Sequence, residues 1–312
     1  MTKLPFAPLL DKQPHTAASH FDHSLSLLSE MANLGSHLCW QAWESSQRST
    51  TDAQVVFHLL RQIVVDVDAM HHLLSHGLSS AAYPTLRSLL EKEHLFEWSL
   101  LGDTELKLKY LFVAAQRAER RGASSVIPGT KENKLLLERF GLTPTESEFI
   151  ASAKAKEARI ERQLQHPELC EVNKSFESGN TAKQHRFDPS WTRAYAKSSK
   201  GSAKFTGSAE AIALEIGQAD EYHYIYSYLC THLHGSALFG SLSMNRKMVA
   251  PKPIRGFAGY EFIYRWTTIL AARAFRKTFE HYMPQRLPEF TEIFKSWSDR
   301  FSNIPSSTDE DD

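Results

Sequence analysis

QVVFHLLRQIVVDVDAMHHLL, residues 54–74, decides the fold. Val56, Leu60, Ile63, Val67, Met70 and Leu74 follow one another in alternating steps of four and three. An α-helix advances about 100° per residue, so these steps keep six apolar side chains on one stripe. The stripe predicts a long helix packed against other helices. His58, Arg61, Asp66 and Asp68 interrupt the run, which excludes a membrane span. Gly77 stands where the helix should stop. A second helix is expected at once, capped by Ser80, with Pro84 in its first turn and Leu86, Leu89, Leu90, Phe96 and Leu100 as its apolar side. Asp103 is placed to cap a third, which runs to the basic pair Arg120 and Arg121.

Further helices are expected over KENKLLLERFG, over TPTESEFIASAKAKEARIERQL, from about Ser208 past His234, and over GYEFIYRWTTILAARAFRKTFEHYM. No stretch alternates with period two over a useful length. The reading is therefore all-α, a multi-helix bundle, with an irregular basic segment over residues 167–207 where the periodicity vanishes. The chain divides into an N-terminal extension (1–17), a single helical domain (18–300) and an acidic tail (301–312) that reads as disordered. The formal net charge is zero, so no global field draws the protein to nucleic acid or membrane, and a nucleic-acid site must be local. Three scattered cysteines form no disulfide framework. With no signal peptide in MTKLPFAPLLDKQPH, the expected location is the cytoplasm.

Two stretches carry candidate chemistry. In YSYLCTHLHGS, residues 226–236, His232 and His234 point about 160° apart on a helix and cannot share one metal. Tyr226 lies on the apolar face, and Cys230 and His234 share an inward-leaning edge. Gly235 and Ser236 then let another backbone approach. His234 is either a hydrogen-bonded histidine at the rim of a core or a proton carrier. In RSLLEKEHLFEW, residues 87–98, Arg87, Glu91 and His94 fall within about 60° of one helix face. Arg87 and Glu91 make at least an i,i+4 ion pair worth about 0.3–0.5 kcal/mol. A guanidinium beside a histidine also suits phosphate chemistry, the first binding phosphoryl oxygens and the second moving a proton. His72 and His76 have i,i+4 spacing in a last helical turn, but no convergent set of three ligands is expected from helix-spaced residues. No metal or cofactor is therefore expected. Between Thr181 and Gly207, Lys183, Arg186, Arg193, Lys197, Lys200 and Lys204 alternate with Trp191 and Tyr195. That mixture holds a nucleic-acid strand or forms a solvated loop.

The helix pair HHLLSHGLSSAAYPTLRSLLEKEH, the tryptophan of DPSWTRAY and DEYHYIYSYLCTHLHGS together resemble an uncharacterised bacterial helical family, domain-of-unknown-function family 5677. The resemblance covers roughly residues 50–280. It implies a helical fold with an Arg-x3-Glu pair, here Arg87 and Glu91, and a late Tyr…Ser…His-Gly-Ser run, here Tyr226, Cys230, His234, Gly235 and Ser236. Cys230 stands where that pattern has serine. The spacing from Arg87 to His94 is also similar to the Arg-x(4–6)-His motif of HEPN-type ribonucleases. That second resemblance implies a metal-independent, dimeric, RNA-cleaving effector of a toxin or phage-defence system. Arg87, Glu91, His94 and His234 would then be catalytic, and Trp191, Tyr226, Cys230 and Ser236 would contact RNA. The alternative is a non-catalytic sensor or partner-binding module in which Arg87, Glu91 and His234 are structural. Both readings place the protein away from the membrane.

Overall fold

The computed structural model describes residues 18–141, 147–178, 190–198, 205–233, 242–244, 249–251 and 256–302. It is all-α, apart from one antiparallel pair of three-residue strands, β1 (Leu242–Met244) and β2 (Val249–Pro251). Among the described residues, no helix is long and apolar enough to cross a membrane. The chain groups into two compact units: residues 102–211, and the two flanking segments 1–101 and 212–312.

In the flanking unit, α1 (Ala18–Ser45) packs on α3 (Arg61–Ser75) and on α13 (Tyr260–Tyr282), and α4 (Ser79–Ser99) packs on α3 and α13. Val56, Leu60, Ile63, Val67, Met70 and Leu74 are all fully buried, as their spacing requires. The close approach of α1 depends on Gly35. A Cβ there would lie 2.6 Å from Val64 Cγ2 and 2.7 Å from Phe275 Cζ. Short α2 (Thr50–Gln54) starts with a capping box, Ser49 accepting from the Asp52 amide and Asp52 from the Ser49 amide. It passes into α3 through a π-helical turn at Val55–Leu60. Helix α4 begins at Ser79, earlier than a Ser80 cap allows, so Pro84 lies in its second turn. The helix tolerates it there because the lost N–H removes a single intrahelical bond near the end. Further along, α10 (Ala209–Glu215) and α11 (Ala219–Glu221) precede a second π turn at Tyr222–Tyr226. That turn leads into α12 (Ser227–Leu233), which packs on α4. Helix α14 (Leu287–Ser302) lies against α13 and α1, where Trp297 is 1% exposed and donates to Glu30.

In the unit formed by residues 102–211, α5 (Thr104–Ser124) carries the Asp103 cap expected of it. It packs on α6 (Lys131–Phe140), α7 (Ser147–Leu164), α8 (Pro167–Ser178) and α9 (Trp191–Ser198). The expectation of an irregular segment over 167–207 is corrected for residues 167–178 and 191–198, which are the helices α8 and α9, whereas residues 179–189 and 199–204 lie outside the described residues. Val172 and Phe176, one turn apart, join Tyr110, Val113, Ile160, Leu164 and Ala194 in one buried cluster. Thr192 donates to the Gly207 carbonyl at 2.7 Å. Gly207 has φ +68°, and a Cβ would sit 2.4 Å from the Thr192 carbonyl oxygen, so glycine is required there.

Candidate functional site

Helix α4 turns its polar stripe toward the second π turn and α13, and the stripe forms three successive layers. In the outermost, Arg87 Nε donates to Glu91 Oε1 at 3.1 Å and an Nη of Arg87 donates to the Tyr226 hydroxyl. The guanidinium carbon also stands 4.5 Å from the Tyr226 ring centroid, a cation–π geometry. The Arg87 side chain is 24% exposed and that of Glu91 41%, so solvent reaches this layer. Burial raises the Tyr226 phenol against the opposing pull of Arg87, which keeps the hydroxyl protonated. Cys230, one turn beyond Tyr226, is half-buried.

The middle layer is sealed. Tyr222 stacks on Tyr226 with centroids 4.5 Å apart, and its ring lies 6.2 Å from His94. His94 is 2% exposed, and Glu93 beside it is fully buried. Arg273 of α13 grips both nearby carboxylates. It donates to Glu93 at 2.7 and 2.9 Å and to Glu221 at 2.7 and 3.1 Å. His94 Nε2 stands 3.6 Å from Glu221 and 3.9 Å from Glu93, longer than hydrogen bonds. Burial pushes the Glu93 carboxyl up to about 7 even though Arg273 opposes it. For Glu221, burial also acts upward, but His94 and Arg273 outweigh it and hold the carboxyl at about 2. Two carboxylates facing one guanidinium leave a net negative charge unless the cluster holds one more proton. The third layer ties Glu97 to Gln218 at 2.9 Å and to Lys277 at 3.1 Å, and Trp98 Nε1 to Glu215 at 2.5 Å.

Arg87, Glu91 and Tyr226 therefore come together, with Cys230 one helical turn beyond Tyr226. His94 lies in the sealed layer behind them, 2% exposed. His234 and Ser236 fall outside the described residues. Trp191 packs against the core of the 102–211 unit. Of the basic residues near it, Arg193 and Lys197 lie on α9, and Lys183, Arg186, Lys200 and Lys204 fall outside the described residues. Sequence reasoning missed Arg273. Its signal was present: a lone arginine in the apolar run ILAARAF, residues 269–275, implies a buried charge with a partner. His232 stacks on Tyr83 at 4.0 Å with rings nearly parallel, and burial lowers its affinity for a proton. One cluster bears on the metal question. Asp68, His71 and His72 bring their donor atoms within 4.8 Å of one another.

An all-α unit with a layered polar seam between α4, the second π turn and α13 is the class of protein defined here. The model of the "Family of unknown function (DUF5677)" matches residues 53–248, well over half of the chain, and the chain belongs to that family. Neither the curated proteins nor the solved structures gave a match.

Proposed function

We propose that the chain is a non-catalytic helical binding module, in which the polar seam of α4 fastens helices together and other surfaces meet a partner. The observation that supports this most directly is the enclosure of His94, 2% exposed and flanked by two carboxylates already bound to Arg273. A general base must reach the proton it abstracts, and a ring in that position cannot reach a ribose hydroxyl. Wild-type protein, at concentrations spanning monomer and dimer, should leave mixed single-stranded RNA and transfer RNA intact. Cleavage that disappears in a folded Arg87→Ala or His234→Ala variant would overturn the proposal.

A second reading, metal-independent RNA cleavage of the HEPN kind in a defence or toxin setting, draws on the outer layer. Arg87, Glu91 and Tyr226 converge there with a partly exposed guanidinium, and Cys230 follows one turn on. In that reading Arg87 holds a phosphoryl group, His234 moves the proton, Trp191 and Ser236 contact the strand, and a homodimer in the cytoplasm is the active form. The same cleavage assay separates the two readings.

A further inference from the structure

We propose that Asp68, His71 and His72 form a surface site for a borderline divalent transition ion of the zinc class, with water completing its coordination. The three residues occupy positions i, i+3 and i+4 of α3. On a helix, positions three and four apart are neighbours, with Cβ atoms about 5–6 Å apart, so both histidines flank the aspartate. The donor atoms already lie within 4.8 Å of one another. Tetrahedral zinc, with bonds of about 2.0–2.2 Å, needs donors roughly 3.4 Å apart. Binding would draw the donors together by side-chain rotation. The Asp68 and His72 side chains are 61% and 65% exposed, so an ion can reach them from solvent. The backbone beneath them is fixed, because Val64, Val67, Met70 and Leu74 of the same helix are buried.

The donor set selects the ion. Two imidazole nitrogens and one carboxylate oxygen suit zinc, cobalt, nickel or copper and disfavour calcium and magnesium, which prefer oxygen ligands. The imidazoles must bind unprotonated. The Asp68 carboxylate and the His72 Nε2 already face each other at 3.8 Å. His76 has a different part. Its Nδ1 contacts the His72 carbonyl oxygen at 2.8 Å and the Ser75 hydroxyl at 3.1 Å, so it fastens the end of the helix.

The test is calorimetric titration of the untagged full chain with zinc chloride in excess magnesium, with circular dichroism as the folding control. The expected result is saturable one-to-one binding that strengthens from pH 5.5 to pH 7.5. His72→Ala and Asp68→Asn should each weaken it at least roughly tenfold, as loss of a ligand does, with helicity unchanged. His76→Ala should leave it within about threefold. Cobalt in place of zinc should give visible absorption that the His72→Ala variant lacks. No saturable binding, or one-to-one binding that survives both His72→Ala and Asp68→Asn, would overturn the proposal.

Discussion

Replacing Arg273 with methionine removes four hydrogen bonds and leaves Glu93 fully buried without its cation. Each bond to a charged group contributes about 1.5–3 kcal/mol, but the methionine no longer has a guanidinium to desolvate, so a net loss of about 2 kcal/mol is expected near neutrality. A second contribution depends on pH. In the wild type, burial raises Glu93 from 4.5 to about 7. A carboxyl with a raised folded pKa stabilises the fold fully below its unfolded value, and that contribution is lost as pH rises through the folded value. Above about pH 7 the wild type ionises Glu93 against Arg273, whereas the variant must keep it protonated. Each further pH unit then costs the variant about 1.4 kcal/mol more than the wild type. Destabilisation should therefore be about 2 kcal/mol at pH 6 and about 4 kcal/mol at pH 8.5, comparable to the 3–5 kcal/mol typical of a broken buried pair. Urea unfolding followed by circular dichroism at both pH values reads it directly. Adding Glu93→Gln should abolish the growth with pH. A destabilisation equal at the two pH values, or one that shrinks as pH rises, would refute the reasoning.

Three other outcomes follow from the packing. Gly35→Ala should destabilise by about 1–3 kcal/mol, read from the urea midpoint, because Val64 and Phe275 occupy the space a methyl needs. His94→Ala should lower the melting temperature, with a cost of about 2 kcal/mol or more, since the ring is buried. An unchanged melting temperature would place the ring in solvent. Phe176→Ala should cost about 3–5 kcal/mol by urea unfolding and should loosen the hydrogen exchange of α5, α7 and α8 together, because all three contribute to its cluster.

The helix of residues 61–75 was legible because its apolar residues are closely spaced and its polar ones fall between them. Helices α8 and α9 were hidden for the opposite reason. Leu169, Val172 and Phe176 are sparse among Glu, Asn, Lys and Ser, and their burial depends on α5, whose partner stripe lies some sixty residues earlier. The pairing of Arg87 with Glu91 was readable as a local i,i+4 relation, and Tyr226 joins them from a distant segment. What the spacing of α4 could not reveal was depth. Arg87 and His94 share a face, but the helix runs inward between them, and Arg273 and Glu221 close over the inner end.

The discontinuous unit also sets an order on synthesis. Helices α1, α3 and α4 leave the ribosome well before α13, against which all three pack. The interval from residue 101 to the end of α13 at residue 282 is 181 residues, or about 10–40 s at typical elongation rates. Through that interval the apolar sides of three finished helices wait for a partner while the 102–211 segment folds on its own core. Nascent chains stalled before residue 260 should therefore recruit a chaperone that leaves once α13 has emerged.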